Sequence, residues 1–345
     1  MFFLRTLWAA ARSLQANFLR SILAVLGIIV GVGTVIAAMG VIEGASRDVI
    51  QDMQKVGANV MWIEPGSAKV RGRTTAAVKE LRVEDAEDLE EISAVAAVSA
   101  EVHRISQIKF GSENDYGMVF GVMPSFFEVF SYKTAEGEVF RRDAQVGART
   151  VATLGHKLAK RLFKETDAVG HQVRLGRQSF TVVGVMEEKG LVGWHDFDNA
   201  IFIPLSRSMR MYNPRSLDQI SVRALELAEM DEVKNAVAGV LRRKHSLQVG
   251  EDDDFRITTQ TELYERFKKA INIWQGVFFS ISGISLVVGG FGIMNIMLVS
   301  VTERTREIGV RMAVGARRGD ILVQFLAESS MICIVGAPLG IGLGW

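Results

Sequence analysis

Five histidines, His103, His156, His171, His195 and His245, are the side chains best suited to ligate a metal or move a proton. They are scattered singly, and no pair has the short spacing of a zinc site, so each reads as an ordinary surface or core residue. The acidic run at 251–254 lacks the alternating ligands and the glycine of a calcium loop, and reads as a solvated turn. No G-x-S-x-G elbow presents a nucleophilic serine, and no G-x-x-x-x-G-K-[ST] loop offers a phosphate cradle. Gly289, Gly290 and Gly292 imitate a nucleotide loop but lie inside an apolar run with no strand before it. The expectation is a non-catalytic chain with no cofactor-binding or metal-binding residues of its own.

The most informative segment is 300–320, SVTERTREIGVRMAVGARRGD. On a helix, Glu307 stands four residues before Arg311, the favoured order for an ion pair, while Ile308 pairs with Met312 and Val310 with Val314. Gly315 supplies a stop, and Asp320 an N-cap for the helix that follows. A solvated turn would not need an apolar face. The spacing predicts a short, rigid, charged helix.

The elements around it are apolar. Hydrophobic residues make up 48% of the 345, and the uncharged stretches are 21–42, 270–302 and 329–345. The first, about 22 residues at 1.5 Å each, crosses roughly 30 Å of hydrocarbon. A signal peptide would have a shorter core and a small-x-small cleavage site, which does not follow Val41. The second exceeds one span and is expected to begin outside the bilayer, with Trp274 at the interface. A third run continues from Ile321 to the last residue.

Arg5, Arg12 and Arg20 precede the first span, and Arg304, Arg306, Arg311, Arg317 and Arg318 follow the second, which places both segments in the cytoplasm and the long middle outside. Arg266, Lys268 and Lys269 oppose this, but long translocated domains are largely exempt from the rule. Leu4, Leu7, Trp8, Ala11, Leu14 and Phe18 recur at helical spacing. They predict a helix lying in the membrane surface, or else an inward extension of the span, which Arg12 and Arg20 would make costly. Gly27 with Gly31, and Gly336 with Gly340 and Gly344, let helices approach closely, either within one subunit or between two. The single cysteine, Cys333, excludes an internal disulfide, and a net charge of +1 offers no field for nucleic acid.

The middle carries mixed signals of an α+β domain. Strands are expected at 59–64, at 105–110 with 117–122 around a turn at 111–114, and at 172–175 with 180–185 around Gly176. An acidic helix is expected at 83–92. Met230, Val233, Val237, Val240 and Leu241 mark one face of another helix, ending in Arg242, Arg243 and Lys244.

The run LVVGGFGIMNIMLVSVTERTREIGVRMAVGAR at 286–317 resembles the second span and coupling helix of MacB-like ABC transporter permeases, within the FtsX-like permease superfamily. QFLAES at 324–329, FLRSILAVLGIIVGVGTVIAAM at 18–39, GANVMWIEPG at 57–66 and DAVGHQVRLGRQSFTVVGVMEEK at 167–189 extend the resemblance over nearly the whole chain. It implies a membrane protein with an α-helical transmembrane region and an α+β extracytoplasmic domain of two subdomains. The implied layout is a surface helix at 1–19, a first span at 20–42 and an outer domain at 43–269. That domain comprises a split subdomain, 43–111 plus 217–269, and an inserted one, 112–216. A second span with its extension (270–302), a coupling helix (303–319) and a third span (320–345) follow, with the FtsX-like region at 280–345 incomplete.

The resemblance further implies a homodimer in the bacterial cytoplasmic (inner) membrane, surrounded by membrane lipids and paired with an ABC ATPase subunit that holds ATP and Mg. A periplasmic adaptor and an outer-membrane channel are implied as further partners. Coupling to the ATPase would fall on Glu303, Arg304, Arg306, Glu307, Ile308, Gly309, Arg311, Met312 and Gly315. Helix packing or dimer contact would fall on Gly27, Gly31, Gly289, Gly336 and Gly340. The expected task is to carry ATP-driven motion to the outer domain and so drive efflux of a hydrophobic drug, peptide, toxin or siderophore. The alternatives on the same architecture are lipoprotein release and activation of a cell-wall hydrolase. Two departures stand out. The missing phosphate loop places the ATPase in a separate chain, and the family's fourth span does not follow Trp345, as in a fragment or a truncated gene.

Overall fold

The computed structural model describes residues 18–56, 59–66, 69–70, 73–74, 80–164, 166–193, 195–226 and 230–345. The expected surface helix over 1–19 lies, but for its last two residues, outside them. Contacts divide the chain into two compact units, one of residues up to Asp48 with Phe267–Trp345, the other Val49–Arg266.

The second unit is built on a sheet. Its strands are β1 (Val60–Pro65), β2 (Lys69–Val70), β3 (Arg73–Thr74), β4 (Val95–Phe110), β5 (Glu113–Val122), β6 (Thr134–Gly137), β7 (Val151–Leu154), β8 (Gln172–Leu175), β9 (Gln178–Met186), β10 (Leu191–Val192), β11 (His195–Asp196), β12 (Ala200–Pro204), β13 (Gln219–Ala224) and β14 (Phe255–Thr259). Among the described residues one continuous sheet runs β14-β1-β13-β4-β5-β12-β7-β9-β6, with β8 bridging β4 and β9. Both expected hairpins form, with shorter turns. Phe110 pairs with Glu113, so Gly111 and Ser112 alone make the first turn, and Gly111 takes φ +57° to do so. Gly176, at φ +61°, does the same between Leu175 and Gln178.

Two apolar cores flank this sheet. The first gathers Met61, Ile63, Leu89, Val98, Ala100, Val102, Ile220 and Val222 with Met230, Val233, Val237 and Leu241 of the helix Met230–Lys244. The second gathers Ile108, Val119, Leu154, Leu158, Leu162, Phe180, Val182, Ile201 and Ile203. The helix Leu205–Tyr212 serves both, since Leu205 and Met209 pack on the first core and Met211 and Tyr212 on the second. Helix ends carry the charges their dipoles favour: Asp231 and Glu232 open Met230–Lys244, and Arg242, Arg243 and Lys244 close it. The helix Val83–Glu90 opens on Glu84 and Asp85, and the Asp85 carboxylate accepts the Arg82 N–H at 2.7 Å.

The first unit holds three helices long and apolar enough to cross a membrane, by length and composition, among the described residues. They are Leu26–Gly44 within the helix Phe18–Val56, Gln260–Glu303 and Arg318–Gly344, with residues 49–56 and 260–266 of the first two helices counted in the sheet unit. The first continues past the expected end at 42, and the second begins ten residues before the expected start at 270. Glu, Gln, Arg and Lys dominate the second extension, and no proline interrupts either one, so neither helix has reason to stop at the hydrocarbon boundary. Hydroxyls within the apolar runs are satisfied by their own helix: Ser280 donates to Gly276 O at 2.7 Å, Ser285 to Ile281 O at 3.0 Å and Ser330 to Leu326 O at 2.8 Å. Ile284, Val288, Phe291, Leu339 and Leu343 stay exposed, an outward apolar surface that suits lipid rather than water.

Candidate coupling site and helix contacts

The short helix runs Thr305–Ala313, narrower than the expected 303–319. Glu303 closes the preceding long helix, Arg304 occupies the joint, and Arg318 and Gly319 already belong to the next helix. Thr305 marks the break, because its hydroxyl donates to Thr302 O at 2.8 Å and Val301 O at 3.1 Å, satisfying carbonyls left open where the long helix ends. At the far end Gly315 N–H reaches Met312 O at 3.1 Å and Ala316 N–H reaches Arg311 O at 3.0 Å, a Schellman closure that the φ of +109° at Gly315 makes feasible. Asp320 is not the N-cap of the next helix. Arg317 is, and Asp320 sits three residues in, its carboxylate accepting the Arg317 N–H at 2.9 Å.

Two arginines clasp this short helix and its joint to the helix that follows. Arg311 donates to Gln324 Oε1 at 2.8 Å and also pairs with Glu307. Arg304 lies 3.9 Å from the carboxylate of Glu328, which is buried. Gln324 and Glu328 are one turn apart, so both clasps land on one face. Both residues stand in the QFLAES run at 324–329 that carries the family resemblance, but no role was expected of them; polar side chains four apart at the head of an apolar run are the signal for one. Arg306, Glu307, Gly309 and Met312 are exposed and Ile308 is half-buried. Val310 is 59% exposed and Val314 84%, although neither is polar. The short helix thus presents an apolar strip while being held by its charges.

The glycines separate into two contacts within this one chain. A Cβ on Gly27 would stand 2.8 Å from the Gly289 Cα, so the first and second long helices meet backbone to backbone there. Gly31 lies against Leu286 one turn on. The third long helix meets the first around Gly33: a Cβ on Gly340 would come within 2.9 Å of Val32 Cβ and 3.0 Å of Ile29 O, and one on Gly344 within 2.5 Å of Gly33 O. Gly336 is buried in the same helix. A groove of about 430 Å³ opens further along between the first two helices, lined by Val35, Met39, Phe278 and Phe279, with the Glu43–Arg47 pair at its rim.

In the sheet unit, side chains far apart in sequence also meet. His103 and His195 stack edge to face with ring centroids 4.6 Å apart. Asp198, fully buried, accepts the N–H groups of Lys189 at 2.8 Å and Gly190 at 3.0 Å and lies 3.0 Å from Lys157 Nζ. Burial alone would raise its carboxyl, but these donors outweigh it and hold the pKa below the usual value. No set of three or more His, Cys, Asp or Glu side chains is placed to hold a metal among the described residues.

Comparison with known proteins decides the family. Residues 21–240 match the MacB-like periplasmic core domain, and residues 279–345 match the FtsX-like permease C-terminal region. The chain belongs to the MacB-like permease family. A macrolide export ATP-binding/permease protein MacB of Chlorobium luteolum is 37% identical over 339 residues, covering 97% of this chain and 51% of that protein. A pyoverdine export ATP-binding/permease protein PvdT of Pseudomonas aeruginosa is 34% identical over 337 residues, covering 97% and 50%. The chain therefore spans about half the length of these relatives. The crystal structure of the periplasmic region of MacB from Actinobacillus actinomycetemcomitans shares the fold, with a TM-score of 0.53 at 17% identity, covering 64% of this chain and 98% of that one. This MacB-like permease is accordingly a membrane protein with an α-helical transmembrane region and an α+β extracytoplasmic domain.

Proposed function

We propose that this MacB-like chain is the permease part of an ABC-type exporter. ATP and Mg are held by an ATPase outside this sequence, and the helix Thr305–Ala313 seats on it. The carrying observation is the clasp of that helix and its joint onto Gln324 and Glu328, with Val310 and Val314, one turn apart, left open. An apolar strip held rigidly on a charged helix is what a groove in a partner can grip. Arg304, Arg306, Glu307 and Arg311 supply the polar rim, and Glu303, Ile308, Gly309 and Gly315 shape the helix and its ends. Movement of the ATPase then passes through the long helices to the outer domain, which acts on a hydrophobic drug, peptide, toxin or siderophore. On this reading the protein lies in the inner membrane with its N-terminus and short helix cytoplasmic. It works as a homodimer, with a periplasmic adaptor and an outer-membrane channel as further partners. The names of the macrolide and pyoverdine exporters support efflux over other tasks.

The test is charge reversal at Arg311. Removing one partner of a buried, hydrogen-bonded charge pair at an interface costs about 2 to 5 kcal/mol, against roughly 0.2 to 0.5 kcal/mol for the Glu307 pair within the helix. Arg311→Glu is expected to insert and fold, yet to lose co-purification with the ATPase or its stimulated hydrolysis, while Arg243→Glu in the outer domain keeps both. Full pairing and transport in Arg311→Glu would refute the coupling role.

A further inference from the structure

The β10–β11 hairpin rests on the sheet through a titratable ring. His195 of β11 packs edge-on against His103 of β4, centroids 4.6 Å apart, and against Phe120 of β5 at 5.2 Å. Nearby Gly193, at φ +61°, lies against the indole of Trp62 in β1, 3.5 Å from where a Cβ would stand. A hairpin that follows strands of the second core therefore touches two strands that line the first.

Among the described residues, the charged groups beside the contact on β4 and on the hairpin side each have a partner. On β4, the fully buried carboxylate of Glu101 lies 2.9 Å from His103 Nε2 and accepts from Ser221 and Gln219 of β13. Asp218 accepts the His103 backbone N–H at 2.8 Å and Arg104 Nη1 at 2.8 Å. On the hairpin side, Asp196 is bound to the Asp198 N–H and the Asn199 amide, and Asp198 to Lys157 and two backbone N–H groups. None of these carboxylates bonds to the His195 ring, so a proton arriving there finds no counter-charge ready.

We infer that the His103–His195 contact is an acid-sensitive latch: a neutral His195 ring holds the hairpin against the sheet, and protonation of that ring releases it. The proton would put a cation on a mostly buried ring wedged between Phe120 and a second imidazole, where desolvation and any charge on His103 both oppose it. Burial first, and His103 second, push His195 down from 6.5 to about 4. The released ring takes up its proton near 6.5 and the docked ring near 4. Release is therefore favoured progressively as pH falls through that interval and gains nothing more below it. From pH 8 to pH 5 the release equilibrium rises roughly thirtyfold on these values.

Hydrogen exchange tests this on the full chain in phospholipid nanodiscs. Residues 190–196 are followed at pH 8, 6.5 and 5, with each rate divided by the intrinsic rate at that pH. The opening constant of the hairpin is expected to rise roughly thirtyfold, while the β5 segment 113–122 stays protected. His195→Phe keeps the ring contacts without the proton and is expected to hold the constant flat. A rise of less than about threefold in the unsubstituted chain, or the same rise in His195→Phe, overturns the latch. Should His195→Phe misfold, exposure of 113–122 at pH 8 will show it, and the unsubstituted titration then decides. A rise that begins near pH 6.5 supports the latch, and one confined below pH 4 overturns it.

Discussion

Arg311 donates to Gln324, thirteen residues further along the chain, across the Schellman turn that ends its own helix, at 2.8 Å. The short helix is thereby tied to the start of the next span by a side chain that also pairs with Glu307. Gln324→Leu removes the tie and leaves the Glu307 pair in place. One exposed hydrogen bond to a charged group contributes about 1.5 to 3 kcal/mol at most and less where water competes. Amide exchange over 305–313 is expected to quicken about three- to tenfold, and unchanged protection there would refute the clasp.

The Gly27–Gly289 contact makes a steric prediction. Gly27→Leu must push apart two backbones and is expected to cost at least about 1 to 3 kcal/mol, the usual penalty of overpacking. Gly290→Leu is the control, because a Cβ there meets nothing within 4 Å. Thermal unfolding in detergent should fall for the first variant and stay within error for the second.

Asp198 predicts an acid limit for the outer domain. Its folded pKa lies below the ordinary value, so its contribution is complete above the unfolded pKa of about 3.8 and is lost as pH falls through the folded one. Asp198→Asn keeps an acceptor but no charge, and is expected to lose about 1 to 3 kcal/mol at pH 7, chiefly from the Lys189 and Gly190 N–H groups rather than the partly exposed Lys157. Urea unfolding followed from pH 7 to pH 3 should be steeper below pH 4 in the unsubstituted chain than in the variant.

The arginine distribution predicts the topology. With Cys333 replaced by serine, a cysteine at Ser112 should react with a membrane-impermeant thiol reagent on intact spheroplasts, and one at Gly319 should not. Both positions are exposed, so access within the protein does not decide the result. The opposite pattern would invert the chain in the membrane.

Local signals were legible in the sequence. The glycines at 111 and 176, which must take positive φ, located both hairpins, and the apolar face from Met230 to Leu241 located its helix with the dipole charges at each end. Non-local pairings were not legible. β12 lies parallel to β5 and β4 crosses from one core to the other, so the sheet is continuous where sequence order implies separate pieces. His103 and His195 meet only because β11 folds back over β4 and β5. At the short helix, the apolar and charged spacing gave the element, but Asp320 was misplaced by three residues because a carboxylate can serve an N-terminus from either the cap or the third position. Gln324 and Glu328 stood in the QFLAES run without a role, because their partners Arg311 and Arg304 come from across a turn that sequence spacing does not reveal.

At Gly27 and Gly289 the first and second long helices meet with no side chain between them. Helices that interlock by ridges in grooves must climb over one another to move, because packed side chains have to leave their holes first. Bare backbone faces have no such teeth. They hold by close van der Waals contact, which resists pulling apart, but they offer little resistance to shear along the axis. The smooth crossing is confined to that point: Leu286 against Gly31, and Val32 and Ile36 against Gly340 and Gly344, are the teeth that fix the register of the three helices along their axes.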